Sequence, residues 1–368
     1  MRPARLRSTH LRSTRLRSGR LRSARFRSAR LRSGLAAVVC ALGVTTAIVG
    51  PALVDGGGDA RQSRPSDRSR LGPHTLGAGS EAAAEDCEKP EASLRPSGAS
   101  GKAIKRIKDR RIHGHKVGKL IAGVDQNSYR WGYRDPATGE LTGFDIDLVR
   151  AIAKDIFGDP DAVIYRTVPT SQRIKALQQN KVDIVVRTMT INCDRIKDVA
   201  FSTAYFQAGQ QVLVPDGSSI TGYNTTLRGK RVCMAQGSTA EAVLDDPEKG
   251  AKALGAIKVK PVPNQLDCLV RLQMGQVDAV ITDNALAAGQ AAQDPSVKLV
   301  GPRFTDELYG VAMNKKDDDL VRRVNKVLED YRRGGADSPW QRAYRTWLAE
   351  DFGRTQRNPA PPDPLYKN

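Results

Sequence analysis

Two segments of this chain, 95 residues apart, read almost as one. Leu177-Gln178-Gln179-Asn180-Lys181-Val182-Asp183-Ile184-Val185 is echoed by Leu272-Gln273-Met274-Gly275-Gln276-Val277-Asp278-Ala279-Val280. In each, a helix ends, a short turn follows and a strand opens with Val-Asp. Two copies of one helix-turn-strand unit suggest two similarly built lobes, although such units also recur within a single sheet. At 368 residues the chain is too long for one ordinary core, so two domains is the natural expectation.

Strands and helices alternate through the middle of the chain, the pattern of α/β domains with mainly parallel sheets. Strands are predicted at 117–124, 162–168, 182–187, 211–214, 231–235, 277–281 and 308–313. Helices are predicted where apolar residues recur every three or four positions. These are Leu148, Ile152 and Ile156; Ile174 and Leu177, capped by Thr170 or Ser171; Gln265 to Met274; Leu320, Val324, Leu328 and Tyr331; and Trp340, Tyr344, Trp347 and Leu348. The tryptophans read as core. A first crossing between lobes is placed at Gln211–Asp216, ahead of Pro215, and the return at Val300–Thr305. Lobe one is then 104–213 with 302–352, and lobe two 214–301.

The net charge of +19 would suggest a nucleic-acid partner if it were evenly spread. It is not. Residues 1–34 hold 12 Arg and no acid, leaving 47 basic against 40 acidic residues, or +7, for the rest. Those first residues are six copies of a five-residue repeat beginning Arg5-Leu6-Arg7-Ser8-Thr9, which cannot build a core and is expected to be disordered. Only one aromatic, Phe26, interleaves it, so nucleic acid is not an expected partner. Leu35–Val54 is twenty residues without a charge behind that basic block, the pattern of a signal peptide or a retained membrane anchor. Positive-inside logic puts everything after Asp55 outside the cell. Residues 55–103 read as a flexible tether and 353–368 as a loose Pro-rich tail.

Outside the cell thiols tend to be oxidised, and four Cys follow the apolar segment. Cys233, on a predicted strand, and Cys268, on a predicted helix of the same lobe, make one pair. That leaves Cys87 with Cys193. Free buried thiols are the alternative.

The chemistry concentrates in Val182–Tyr205. After the strand comes a polar turn in which Thr188, Thr190 and Asn192 alternate ahead of Arg195, so hydroxyls, backbone N–H groups and a guanidinium can converge on a carboxylate. The plainer reading is that Arg195 caps a surface turn. Ligands of open α/β sheets bind beyond the carboxyl ends of strands, which adds Asp125, Tyr129, Ser171 and Arg173 from lobe one, and Ser238, Thr239 and Asp283 from lobe two. Asp283 also suits a plain N-cap of the helix that follows.

Together with Gly143-Phe144-Asp145-Ile146-Asp147-Leu148 and Ala200-Phe201-Ser202-Thr203-Ala204-Tyr205, this stretch resembles the polar amino-acid branch of the extracytoplasmic solute-binding proteins of ABC transporters, over roughly residues 102–351. The actinobacterial glutamate-binding members are most alike. The resemblance implies the type II periplasmic-binding-protein fold, two α/β lobes with ligand in the cleft between them. It implies that Arg195, helped by Thr190, grips an α-carboxylate, that Ser238 and Thr239 offer N–H groups to it, and that Asp283 and the Thr188 carbonyl take the α-ammonium. Ser171 and Arg173 correspond to the segment that meets a distal carboxylate, which points to L-glutamate or L-aspartate, and Tyr129 to a lid. One departure is Ala235, where some relatives carry a Lys near the ligand. Family members are often lipid-anchored through a Cys, but Cys40 lies inside the apolar run behind Val39, an unusual context for lipidation.

An enzyme on the same fold, a periplasmic dehydratase, is the first competing class. From Lys116 onward there is no His, which removes Ser-His-Asp and Cys-His nucleophiles and most zinc sites. The expectation is a monomeric binding protein with no cofactor or metal, partnered with permease subunits in the membrane. The second alternative keeps the cleft and changes the partner to a signalling membrane protein.

Overall fold

The computed structural model describes residues 87–352 and 359–367. The Arg-rich repeat, the apolar segment 35–54, Cys40 and the first part of the expected tether lie outside the described residues.

In chain order, lobe one contains α1 (Lys102–Lys108), β1 (Leu120–Val124), α2 (Phe144–Phe157), β2 (Val163–Thr167), α3 (Arg173–Gln178), β3 (Ile184–Val185), α4 (Cys193–Ile196) and β4 (Val199–Phe201). The chain leaves through β5 (Phe206–Ala208). Lobe two contains β6 (Gln210–Pro215), β7 (Arg231–Cys233), α5 (Thr239–Asp245), β8 (Ile257–Lys258), α6 (Gln265–Gln273), β9 (Ala279–Asp283), α7 (Asn284–Gln293) and β10 (Val297–Val300). It returns through β11 (Glu307–Tyr309), and β12 (Ala312–Asn314), α8 (Asp318–Arg332) and α9 (Pro339–Trp347) complete lobe one.

The two sheets share one plan. Lobe one orders its strands β2-β1-β3-β12-β4 and lobe two β8-β7-β9-β6-β10. The first three strands of each are parallel, and the fourth runs antiparallel to its neighbours. That fourth strand is always the one arriving from the other lobe, β6 after the first crossing and β12 after the return.

The sequence echo has a physical cause in this plan. Asn180 and Gly275 both adopt left-handed backbone, φ 52° and 65°, to turn the chain out of the helix. Asp183 then exchanges two hydrogen bonds with Ile121 of β1, its N–H to the carbonyl at 2.8 Å and its carboxylate from the N–H at 2.8 Å. Asp278 does the same with Arg231 of β7, at 2.8 and 2.7 Å. Val-Asp therefore ties the head of the third strand in each sheet to its parallel neighbour, β3 to β1 and β9 to β7.

Alternating burial follows the predicted faces. Leu148, Ile152 and Ile156 of α2 and Leu320, Val324 and Leu328 of α8 enter the lobe-one core beside Trp340 and Tyr344. Lobe two is built on Val212, Val232, Leu244 and Ile281 on one face of its sheet and Leu213, Leu269 and Val280 on the other. Cys233 is bonded to Cys268 across that second face, and Cys87 to Cys193 on lobe one.

Three expectations need correction. The crossing lies upstream of Gln211–Asp216. β6 is already paired with β9 from Gln210 opposite Asp283, and the crossing is the antiparallel β5/β11 ribbon, with Phe206 opposite Tyr309 and Ala208 opposite Glu307. Pro215 marks the far end of a lobe-two strand instead, whereas at Gly209 the absence of a side chain lets the chain pass the Thr305 backbone. Second, residues 87–101 are not a free tether. The Ser93 hydroxyl donates to the Phe201 carbonyl at 2.6 Å and accepts from the Asn325 amide at 2.8 Å. Third, the tail is held in place over 359–367. Ser93 N–H bonds the Leu365 carbonyl (3.0 Å) and Lys367 N–H the Ser93 carbonyl (2.8 Å), so strap and tail pair with each other on lobe one. Single-residue bridges carry no periodicity, which is why composition suggested loose chain. Among the described residues no helix is long and apolar enough to cross a membrane.

Candidate ligand-binding cleft

The strand ends of both sheets face one cavity between the lobes. Lobe one lines it with Thr170, Arg173, Arg187, Thr188, Thr190 and Arg195, and lobe two with Ser238, Thr239, Ala240, Gln265, Thr282, Asp283 and Leu286.

Arg195 stands on α4, whose start is fixed by the Asn192 side chain accepting the Arg195 N–H at 3.0 Å. Its guanidinium is buried, donating to the Thr190 carbonyl at 2.7 Å and across the cleft to the Gly237 carbonyl at 3.1 Å. Arg173 is buried as well and spends its donors on backbone carbonyls, Thr170 at 2.9 Å and again Gly237 at 3.2 Å. Among the described residues neither has a carboxylate within 4.0 Å. Burial, then the charges of Arg195 and Arg187, push the Arg173 guanidinium well below its usual pKa. Burial also lowers Arg195, against the pull of Glu307 and Asp283. Gly237, at φ 73°, lies close against lobe one, since a Cβ on it would come within 2.9 Å of the Ser171 Cα.

Arg187 also enters the cavity wall. It is paired with Asp125 at 2.8 Å and donates to the Thr170 hydroxyl at 2.9 Å. This corrects the expectation for Asp125. Its carboxylate is used up by Arg187, the Gln126 and Asn127 N–H groups and the Ser128 hydroxyl, and it does not line the cavity. Tyr129 and Ser171 are outside the lining too. The Tyr129 ring packs against Tyr133 with Arg130 over its face, and Ser171 presents its backbone to Gly237.

The turn at Thr188 shows what the upstream motifs are for. Thr188 holds φ 41°, a costly conformation for a β-branched residue. Its N–H is taken by the buried Asp145 carboxylate at 3.1 Å, which also accepts the Tyr205 hydroxyl at 2.8 Å. Burial pushes the Asp145 carboxyl up to about 7.

On lobe two, Ser238 caps α5, accepting from Glu241 N–H at 3.2 Å. Its own N–H turns back to the Ala235 carbonyl at 3.2 Å, so the expectation that it is offered to a ligand does not match this geometry. Asp283 stands at the N-cap position of α7 without capping it. Its buried carboxylate instead accepts from the Gln210 amide and the Tyr309 hydroxyl. Burial, followed by the nearby Glu307 charge, raises its pKa. Gln265, missed by the sequence reading, is one of the lining residues, and its buried amide nitrogen has no partner among the described residues.

Glu307 was missed as well. On the crossing strand β11, its buried carboxylate accepts from the Thr190 hydroxyl of lobe one at 2.5 Å and the Thr239 hydroxyl of lobe two at 2.8 Å. Nothing local in Asp306-Glu307-Leu308 distinguishes it from a surface acid.

Two lobes with mainly parallel sheets, joined by a two-strand ribbon and with a polar cavity between them, define a type II periplasmic amino-acid binding-protein fold. Residues 120–350 match the model of the bacterial extracellular solute-binding proteins, family 3, and the chain belongs to that family. It is 34% identical over 261 residues to the ABC transporter glutamine-binding protein GlnH of Bacillus subtilis, covering 71% of this chain and 92% of that one. It is 29% identical to the glutamate-binding protein GluB of Corynebacterium glutamicum, over 64% and 80% of the two chains. A crystallised mutant of ArgBP from T. maritima superposes with a TM-score of 0.59 at 29% identity, covering 67% of this chain and 99% of that one.

Proposed function

We propose that this protein binds an acidic L-amino acid, L-glutamate ahead of L-aspartate, outside the cytoplasm and hands it to the permease of an ABC transporter. One observation carries the reading. Arg173 and Arg195, both buried and without a carboxylate partner among the described residues, bring their Nη2 atoms to the same Gly237 carbonyl. Two unneutralised guanidiniums in one buried cavity favour a ligand with two carboxylates. Asp283 supplies the opposite charge for an ammonium, and Gln265, whose amide nitrogen has no partner among the described residues, is a further lining side chain that can donate. In this assignment Arg195 with Thr190 meets the α-carboxylate and Arg173 the distal one. Relatives named for glutamine favour the amide as the second reading, which would leave one guanidinium without a counter-charge.

The contacts across the cleft support closure around the ligand. Lobe-one cations already donate across the cleft to a lobe-two carbonyl, so a ligand held by both faces favours the closed form that the permease recognises. A thermal-shift panel of the twenty amino acids tests the reading. Ligand at a hundred times its dissociation constant adds about 2.7 kcal/mol to the folded state, roughly 5–10 °C for a protein of this size. L-glutamate and L-aspartate are expected to give that shift and L-glutamine and L-asparagine little. A shift with the amides alone would overturn acid selectivity.

A further inference from the structure

Asp283 and Glu307 are two buried carboxylates joined by a single amide. The Gln210 nitrogen bonds the Asp283 carboxylate and, at 2.9 Å, that of Glu307. Their other hydrogen-bond partners are neutral. Tyr309 faces Asp283, while the Thr190, Thr239 and Thr305 hydroxyls face Glu307 at 2.5, 2.8 and 3.2 Å. The charged groups that reach the pair are Arg195 from α4 and Arg173 from α3, and among the described residues no Lys, Arg or His comes within 4.0 Å of either carboxylate. Asp283 thus meets a second carboxylate in a buried site without an ion-pair partner, which favours either a proton or a positive ligand group on it.

We propose that Asp283, set beside the Glu307 carboxylate on one shared amide, holds a proton that the ligand's ammonium displaces, which ties capture of an amino acid to proton release. The carboxyl O–H bond breaks, the proton passes to solvent base, and ammonium N–H donors take its place. Glu307 is then a positioning residue. It need not touch the ligand, but it sets the charge that Asp283 presents and, through Thr190 and Thr239, links that charge to both lobes. Acidification on the outer face favours ligand release. The inference rests on the amino-acid reading above and on Asp283 as its ammonium site.

The test is calorimetric titration of the disulfide-intact protein with L-glutamate, and with L-glutamine beside it, in two buffers of different ionisation enthalpy. Between pH 6.5 and 5.5 the ligand's own groups hardly titrate. Wild type is expected to release close to one proton per L-glutamate bound, with affinity falling by up to about tenfold per pH unit in that range. In Glu307→Gln the proton release and the pH slope are expected to collapse, and the slope is the readout whatever the absolute affinity. Binding by wild type with no proton release overturns the inference and leaves the amino-acid reading standing. An unchanged proton count in Glu307→Gln overturns the pairing with Glu307. No binding of either amino acid at any pH overturns the reading beneath both. If the variant does not fold, the wild-type proton count decides alone.

Discussion

Lobe one and lobe two are the same sheet built twice, yet they bring opposite chemistry to the cleft. The repeated parts, the left-handed turn and the Val-Asp tie, hold strands together far from the ligand site. The parts that are not repeated line the cavity. Lobe one contributes three buried guanidiniums, Arg173, Arg187 and Arg195, while lobe two contributes the Asp283 carboxylate and otherwise uncharged residues. Reinforcement differs as well. Lobe one is bound by a strap through Cys87–Cys193, a bond spanning 106 residues, and lobe two is closed internally by Cys233–Cys268 across 35. Duplication supplies a scaffold with two facing strand-end surfaces, and asymmetry in charge makes those surfaces complementary.

The comparison breaks most visibly at Arg195. Arg195→Ala is expected to weaken amino-acid binding about a hundredfold or more, because it removes a buried charged donor from the lobe-one half of the site; titration calorimetry would show it. Retained affinity would mean that lobe two alone holds the ligand. The shared tie is tested by stability. Asp183 is paired bidentately with Arg110, whose side chain is only 14% exposed, so Asp183→Ala is expected to cost about 3 kcal/mol in urea unfolding. Asp278→Ala removes the same tie beside a more exposed Arg231 and is expected to cost a fraction of that. Equal losses would show that the backbone bond, not the ion pair, dominates in both lobes.

Arg173→Ala sharpens the selectivity argument, with an expected loss of about tenfold for L-glutamate over and above any loss for L-glutamine. Parallel losses would remove the distal-carboxylate role. The smallest effect concerns Asp145. Its folded pKa, about 7, lies above the ordinary value of 3.8, so its contribution to stability is fully present below pH 3.8 and is lost as pH rises through 7. Between pH 5.5 and 8 the free protein is therefore expected to lose melting temperature with rising pH, less steeply in Asp145→Asn. An unaltered slope would assign the effect to other buried acids.

Much of this was legible from the residues. Apolar spacing gave α2, α8 and α9, and the echo gave the paired lobes, because a helix or strand that buries one face must repeat apolar positions at its own period. The cleft was legible where its residues follow strand ends, as with Thr188, Thr190, Arg195, Thr239 and Asp283. It was illegible where burial partners come from distant segments. Asp125 looked like a ligand group until Arg187, 62 residues later, proved to occupy it. Glu307 and Gln265 carry no local signal at all.

By itself, then, the sequence determined the α/β class, the doubled lobe, the polar turn and the family resemblance, since each depends on short-range pattern. The tertiary structure decided which charges neutralise each other and which are left facing the cavity. It also decided where the chain crosses between lobes, and that strap and tail lie on lobe one. Those outcomes depend on long-range pairings whose energy exists only once both partners are buried together, and no local pattern records them.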